Sequence, residues 1–475
     1  MNLNELTLTE MIKGLSAGQF SASEIATAVI DRIEAKSDLG AIIEFDKNFY
    51  KLEAAASDKR RKDNEARPLD GVPLVLKDNI DTKNLATTGG TGALAGKKPK
   101  QDAPAVEALR KQGAIIPAKA VLHELAFGIT SNNSVTGPAR NPYNPLMIPG
   151  GSSGGTAVAI SSGQFPAGLG TDTGGSVRIP AALCGLFGFR PSVGRYSRSG
   201  VIPISSTRDT IGPIAKNIDD IIHLDSAMAV KDVPNLDHVD LKSLRIGVPR
   251  TRFWEDLETG VQELSSSFLK KLEESGVEII EKDFPDIWEL NDNTGFPIAL
   301  FEVMRELPAY LENAGYGVSL DDLIAGIGSP DVLGIISSQK GDEAMPEAAY
   351  LDAINKHRPK MQKLYADYFR EENIDAIIFP TTPLTARPIG QDETVELNGN
   401  QQPTFPTFVR NTDLGSNIGA PGISMPIGFV ESEEKEDESW ISDLIQHIIS
   451  CLDEDCGRCG HAIQSDFLGW IKTRE

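Results

Sequence analysis

Apolar positions along this chain switch between a helical period and short unbroken runs. Ser21, Ala22, Ser23 and Glu24 have the spacing of a capping box, and Ile25, Val29, Ile30 and Ile33 follow at helical intervals, so the N-terminal segment reads as helix. Residues 71–76, GVPLVL, read as a short buried strand ending at Lys77 and Asp78. A helix over 103–112 then leads through Gly113 into a second apolar strand at 114–117. The alternation returns with LRIGVPR at 244–250, a helix near 257–275, VEIIEK at 277–282 and IDAIIFP at 374–380. Helices alternating with short apolar strands predict an α/β fold whose sheet is largely parallel and covered on both faces. Near the end, Ile441, Leu444, Ile445, Ile448 and Ile449 fall at helical spacing and predict an amphipathic helix.

Composition narrows the class. The chain has 475 residues, with 46 Lys and Arg against 68 Asp and Glu, a net charge of −22. Such an acidic balance argues against general affinity for nucleic acid or anionic membranes. Four cysteines exclude a disulfide scaffold and point to a reducing compartment. No apolar stretch is long enough to span a bilayer. The first 20 residues lack a basic region followed by an apolar one, so a cytoplasmic location is expected.

Residues 150–200 hold 13 of the 44 glycines. Glycine pairs flank serine twice, in GGSSGG at 150–155 and TGGS at 173–176. Without a Cβ in the way, successive N–H groups can turn toward one point and hold a developing oxyanion. The same composition also suits a phosphate-cradling loop or plain turns. The nucleotide fingerprints fit poorly: GGTGALAGKK at 89–98 lacks the P-loop ending, and Gly90, Gly92 and Ala95 match the dinucleotide pattern only loosely. A serine nucleophile needs a base, and the G-x-S-x-G elbow is missing around Ser152 and Ser176. His123 lies among apolar residues and reads as structural. Lys77 follows an apolar strand, where desolvation lowers a lysine pKa, although a lysine after a strand is ordinarily a surface residue.

Taken together, GVPLVLKDN (71–79), GGSSGG (150–155), GTDTGGSVRIPAALCG (170–185) and GFRPSVGR (188–195) resemble the amidase signature family in order and spacing, with a general layout extending over roughly residues 5–430. The resemblance implies one large α/β domain over 1–429, with a mixed, mostly parallel central sheet covered by helices. It implies a catalytic set of Lys77, Ser152 and Ser176: the lysine of the LKD element, a relay serine held through a cis peptide, and the nucleophile. It further implies an oxyanion hole from the backbone N–H groups of Thr173, Gly174, Gly175 and Ser176. Ser153, Asp172 and Arg178 match positions that support the loop, and Asp172 with Arg178 suits a bracing charge pair. No metal or organic cofactor is implied.

The stretches 123–145, 202–215 and 379–390 look most like bacterial amidases acting on arylacetamides, such as indoleacetamide and mandelamide hydrolases. The expected partner is therefore a small-molecule amide, with no nucleic acid and no membrane; a homo-oligomer is left open. Two alternatives stand beside this reading. One is the glutamine-hydrolysing A subunit of a tRNA-dependent amidotransferase. The other is an impaired family member acting as a binding protein, against which the intact Lys77, Ser152 and Ser176 argue.

The ending departs from the family pattern. Residues 431–475 carry 12 acidic and four basic side chains, and 431–438 read as a solvated run. The segment 430–475 is therefore expected to be a divergent tail peripheral to the chemistry. It contains Cys451, Cys456, Cys459 and His461, three thiols and an imidazole of the kind that can hold zinc, at an unusual spacing. Cys184, within AALCG, reads as a small buried residue.

Overall fold

The computed structural model describes residues 2–229, 240–431 and 442–450, the last stretch as backbone. In chain order the strands are β1 (Ile42–Phe45), β2 (Pro73–Lys77), β3 (Ile115–Ala120), β4 (Ala167–Asp172), β5 (Phe187–Arg190), β6 (Thr210–Ala215), β7 (Arg245–Gly247), β8 (Glu278–Ile280), β9 (Ala376–Pro380), β10 (Thr394–Leu397), β11 (Asn400–Pro403), β12 (Gly422–Glu431) and β13 (Ser442–Ser450). Among the described residues, β10 and β11 pair as a hairpin. The other eleven form one sheet in the order β1-β3-β2-β4-β6-β5-β12-β13-β9-β7-β8. β2 runs parallel to β3 and β4, and β7 runs parallel to β8 and β9; antiparallel pairings join the two stretches. This is a single α/β domain with a mixed sheet flanked by helices.

Local signals account for the elements around the site. Helix Ala22–Ala35 begins at a capping box between Ser21 and Glu24 and buries Ile25, Val29, Ile30 and Ile33. β2 and β4 are buried at every position, as strands covered on both faces are. They lie side by side in parallel register, Leu74 opposite Ala167 and Leu76 opposite Leu169. Their C-terminal ends therefore meet at one edge of the sheet, the place where open α/β sheets bind ligands. Helix Gly154–Ser161 packs against both strands, and a Cβ on Gly155 would stand 2.4 Å from the Val121 carbonyl oxygen, so only glycine fits that approach. A smaller apolar cluster, with Leu125, Val303, Leu311 and Ile336 at its centre, lies beneath helices Gly295–Ala314, Leu320–Ala325 and Pro330–Ser338.

The C-terminal segment differs from its sequence reading. Residues 442–450 are not a helix. They form β13, antiparallel to β12 on one side and β9 on the other, so the sheet continues past the expected boundary at 429. The apolar doublets at 444–445 and 448–449 satisfy a helical period, but periodicity alone does not tell so short an apolar segment of a helix from a strand. Cys451, Cys456, Cys459 and His461 lie outside the described residues. Among the described residues, no helix is long and apolar enough to cross a membrane.

Candidate active site

Lys77 is the last residue of β2, and its side chain is fully buried. Its Nζ lies 2.8 Å from Ser152 Oγ and 2.7 Å from Thr171 Oγ1, and Asn79 Nδ2 donates to the same threonine hydroxyl at 3.0 Å. Among the described residues, no carboxylate touches it. Burial pushes its pKa down from the ordinary lysine value of 10.5 to about 7, against the weaker pull of the Asp172 and Asp209 charges. A lysine there is divided between ammonium and amine near neutrality. As an ammonium it donates to both hydroxyls; as an amine its lone pair can accept a proton from Ser152.

Ser152 follows a cis peptide bond at Gly151 and is also fully buried. Its carbonyl accepts from the His123 backbone N–H at 3.1 Å and from the Ser131 hydroxyl at 3.4 Å, which fixes the turn from the strand side. The His123 ring is buried and pairs with Asp331 at 2.9 Å, the engagement expected of a structural histidine. Ser153 joins this turn to the next: its N–H donates to the Ser176 carbonyl at 3.2 Å, and its hydroxyl lies 3.3 Å from the Thr171 carbonyl and backbone nitrogen.

The loop from Asp172 to Ser176 has every carbonyl occupied. Arg190 donates to the Asp172 carbonyl at 2.6 Å, Arg208 to that of Thr173 at 3.1 Å, and the Thr412 hydroxyl to that of Gly174. The Ile179 N–H donates to the Gly175 carbonyl at 2.8 Å, and Ser153 takes that of Ser176. The four N–H groups of Thr173, Gly174, Gly175 and Ser176 have no acceptor among the described residues. Because the carbonyls are pinned outward, consecutive donors are left unpaired in a segment that is only partly exposed, the arrangement of an anion-holding nest. Gly175 sits at φ +147, and a Cβ there would lie 2.4 Å from the Thr412 hydroxyl oxygen. Ser176 is part-exposed, whereas Lys77 and Ser152 are sealed from solvent.

Asp172 and Arg178 do form a bidentate pair, at 3.0 and 2.9 Å, and Arg190 adds a third contact at 2.8 Å. Burial alone would raise the Asp172 carboxyl; the two guanidinium groups outweigh it and hold it well below the usual carboxylate range. Sequence reasoning did not single out Thr171, Asn79, Arg190, Arg208 or Thr412. Thr171, Asn79 and Arg190 stand inside the quoted motifs, where only geometry distinguishes them from their neighbours. Thr412 lies 238 positions from Gly174, and no local pattern announces it. Cys184 is buried, and burial pushes its thiol pKa up.

Comparison with known proteins decides the family. The Amidase family model matches residues 24–439. The chain belongs to the amidase family. It is 42% identical over 422 residues to an indoleacetamide hydrolase of Agrobacterium vitis, covering 89% of this chain and 90% of that protein. A mandelamide hydrolase of Pseudomonas putida is 38% identical over 453 residues, covering 91% and 86%. The native peptide amidase of Stenotrophomonas maltophilia superposes with a TM-score of 0.79 at 27% identity, covering 95% and 94%. Like these relatives, this amidase is a hydrolase of amide C–N bonds with a small-molecule amide as substrate.

Proposed function

We propose that this amidase hydrolyses small primary amides of the arylacetamide type to the acid and ammonia, through an acyl-enzyme on Ser176. One observation carries the mechanism: a buried lysine with no carboxylate partner among the described residues stands 2.8 Å from a buried serine, next to a loop whose four N–H groups have no acceptor among those residues. Neutral Lys77 takes the hydroxyl proton of Ser152 as Ser152 takes that of Ser176, and Ser176 Oγ bonds to the amide carbon. The oxyanion is held by the N–H groups of residues 173–176, and one such donor typically contributes about 2.7–4 kcal/mol. Ser152 then protonates the nitrogen, the C–N bond breaks and ammonia leaves. Water attacks the ester carbonyl, giving up a proton along the same path, and the acid departs as Ser176 recovers its own. Ser153, Asp172 and Arg178 keep the loop in place. No cofactor enters any step.

The aryl preference draws on the relatives, an indoleacetamide hydrolase and a mandelamide hydrolase. The net charge of −22 favours an enzyme working without nucleic acid. Ammonia release from a panel of indoleacetamide, mandelamide and glutamine tests the reading. Higher kcat/KM on the two aryl amides supports it; glutamine turnover only when tRNA and a partner subunit are added would replace it.

A further inference from the structure

A cavity of about 550 Å³ opens beside the Ser176 loop, within the usual range for small-molecule sites. Gly295 and Asp413 are among the residues that line it. Asp413 pairs with Arg208, the side chain that holds the Thr173 carbonyl. A Cβ built on Gly295 would stand 3.0 Å from Arg208 and 3.1 Å from Asp413; one built on Gly174 would stand 3.4 and 3.9 Å from the same two side chains. One ion pair thus borders both the cavity and the loop that ends in Ser176. This space is far larger than a two-carbon acyl group needs.

Its lining is mixed in a specific way. Phe296 lines the cavity and is 53% exposed; Phe405, 37% exposed, stands with its ring centroid 6.2 Å away, between the lining residues Pro403 and Pro406. Two large rings left half in water beside a cavity gain by covering a third ring. Arg410 also lines it. Its guanidinium donates to the Glu255 carbonyl at 2.6 Å and to the Asn411 amide oxygen at 3.3 Å, and among the described residues no carboxylate forms an ion pair with it. Donor capacity remains on that guanidinium. Glu255, Asp256 and Asp292 share the lining, which disfavours an anionic ligand and favours a neutral acceptor.

We infer that this cavity is the subsite for the distal part of the acyl group, where Phe296 and Phe405 receive an aromatic ring and Arg410 selects rings bearing a neutral oxygen acceptor such as a phenolic hydroxyl. The inference rests on the proposed hydrolysis at Ser176 and names the substrate class within it. The test is kcat/KM for propionamide, phenylacetamide and 4-hydroxyphenylacetamide in wild type, Phe296→Ala, Phe405→Ala and Arg410→Met. Phe296→Ala and Phe405→Ala each lower the phenylacetamide-to-propionamide ratio about fivefold. Arg410→Met lowers the 4-hydroxyphenylacetamide-to-phenylacetamide ratio by about threefold or more. Both phenylalanines are partly exposed, so their alanine variants fold, and each checks the other. Unchanged ratios in variants of an enzyme that hydrolyses phenylacetamide overturn the subsite and leave the proposed function standing. A wild type that turns over propionamide but no aryl amide overturns the aryl reading and the subsite with it.

Discussion

Replacing Lys77 with methionine separates the two consequences of burying that lysine. With its pKa at about 7, the amine is about three-quarters neutral at pH 7.5, whereas a lysine at its ordinary 10.5 would be about 0.1% neutral, so burial raises the base population several hundred-fold. In wild type, kcat/KM therefore climbs with unit slope from acid pH, reaches half its maximum near pH 7 and levels off about 1.5 units higher. The same shift has a stability sign. The folded pKa lies below the unfolded one, so the folded state binds fewer protons between them and stability rises with pH across that window. The penalty, about 5 kcal/mol, is fully present below pH 7 and gone above pH 10.5. Lys77→Met removes that pH-dependent penalty while leaving the Ser152 and Thr171 hydroxyls without their shared partner, a loss of about 1–3 kcal/mol each. The readable quantity is thus the change with pH: the variant's Tm gains on wild type at pH 6 relative to pH 10, while amide turnover falls to background. Ammonia release and thermal melts across pH 5.5–10 at constant ionic strength supply both. A wild-type rate flat from pH 5.5 to 9, or a Tm difference that does not move with pH, would refute the reasoning.

Other outcomes follow from neighbouring residues. Thr171→Val removes a hydroxyl that Lys77 and Asn79 share, and should lower kcat by about tenfold with KM little changed, read from steady-state kinetics. Asp172→Asn leaves Arg178 and Arg190 buried without their carboxylate and should cost about 3–5 kcal/mol in urea denaturation. Ending the chain before residue 442 removes β13 from between β12 and β9 and exposes two strand edges, so the truncated protein should melt lower or aggregate. A truncation that stays soluble with unchanged Tm would show that β13 adds nothing to the sheet.

The parts of this fold that the sequence made legible are those in which residue chemistry and position coincide. A fully apolar strand ending in lysine, and glycine pairs around serine, are visible without coordinates because each needs its residue types at that spot. Helix Ala22–Ala35 was legible for the same reason, since its cap and its apolar stripe agree. Residues 442–450 were misread because apolar doublets fit two periods, and only the neighbours β12 and β9 choose between them. The pinning of the nest was also hidden. Arg208, Asp413 and Thr412 act on Thr173 and Gly174 across long stretches of chain, and a lone arginine or threonine carries no local sign of such a task. The aromatic pair Phe296 and Phe405 was likewise invisible, since it joins two elements 109 positions apart in sequence.

The central claim is an acyl-enzyme on Ser176, and mass spectrometry of the quenched reaction tests it most directly. Rapid acid quench during turnover of an arylacetamide, followed by peptide mapping, should show the acyl group on the peptide containing Ser176 and nowhere else, and Ser176→Ala should show neither adduct nor ammonia release. An adduct on another residue, or turnover retained by Ser176→Ala, would contradict the account.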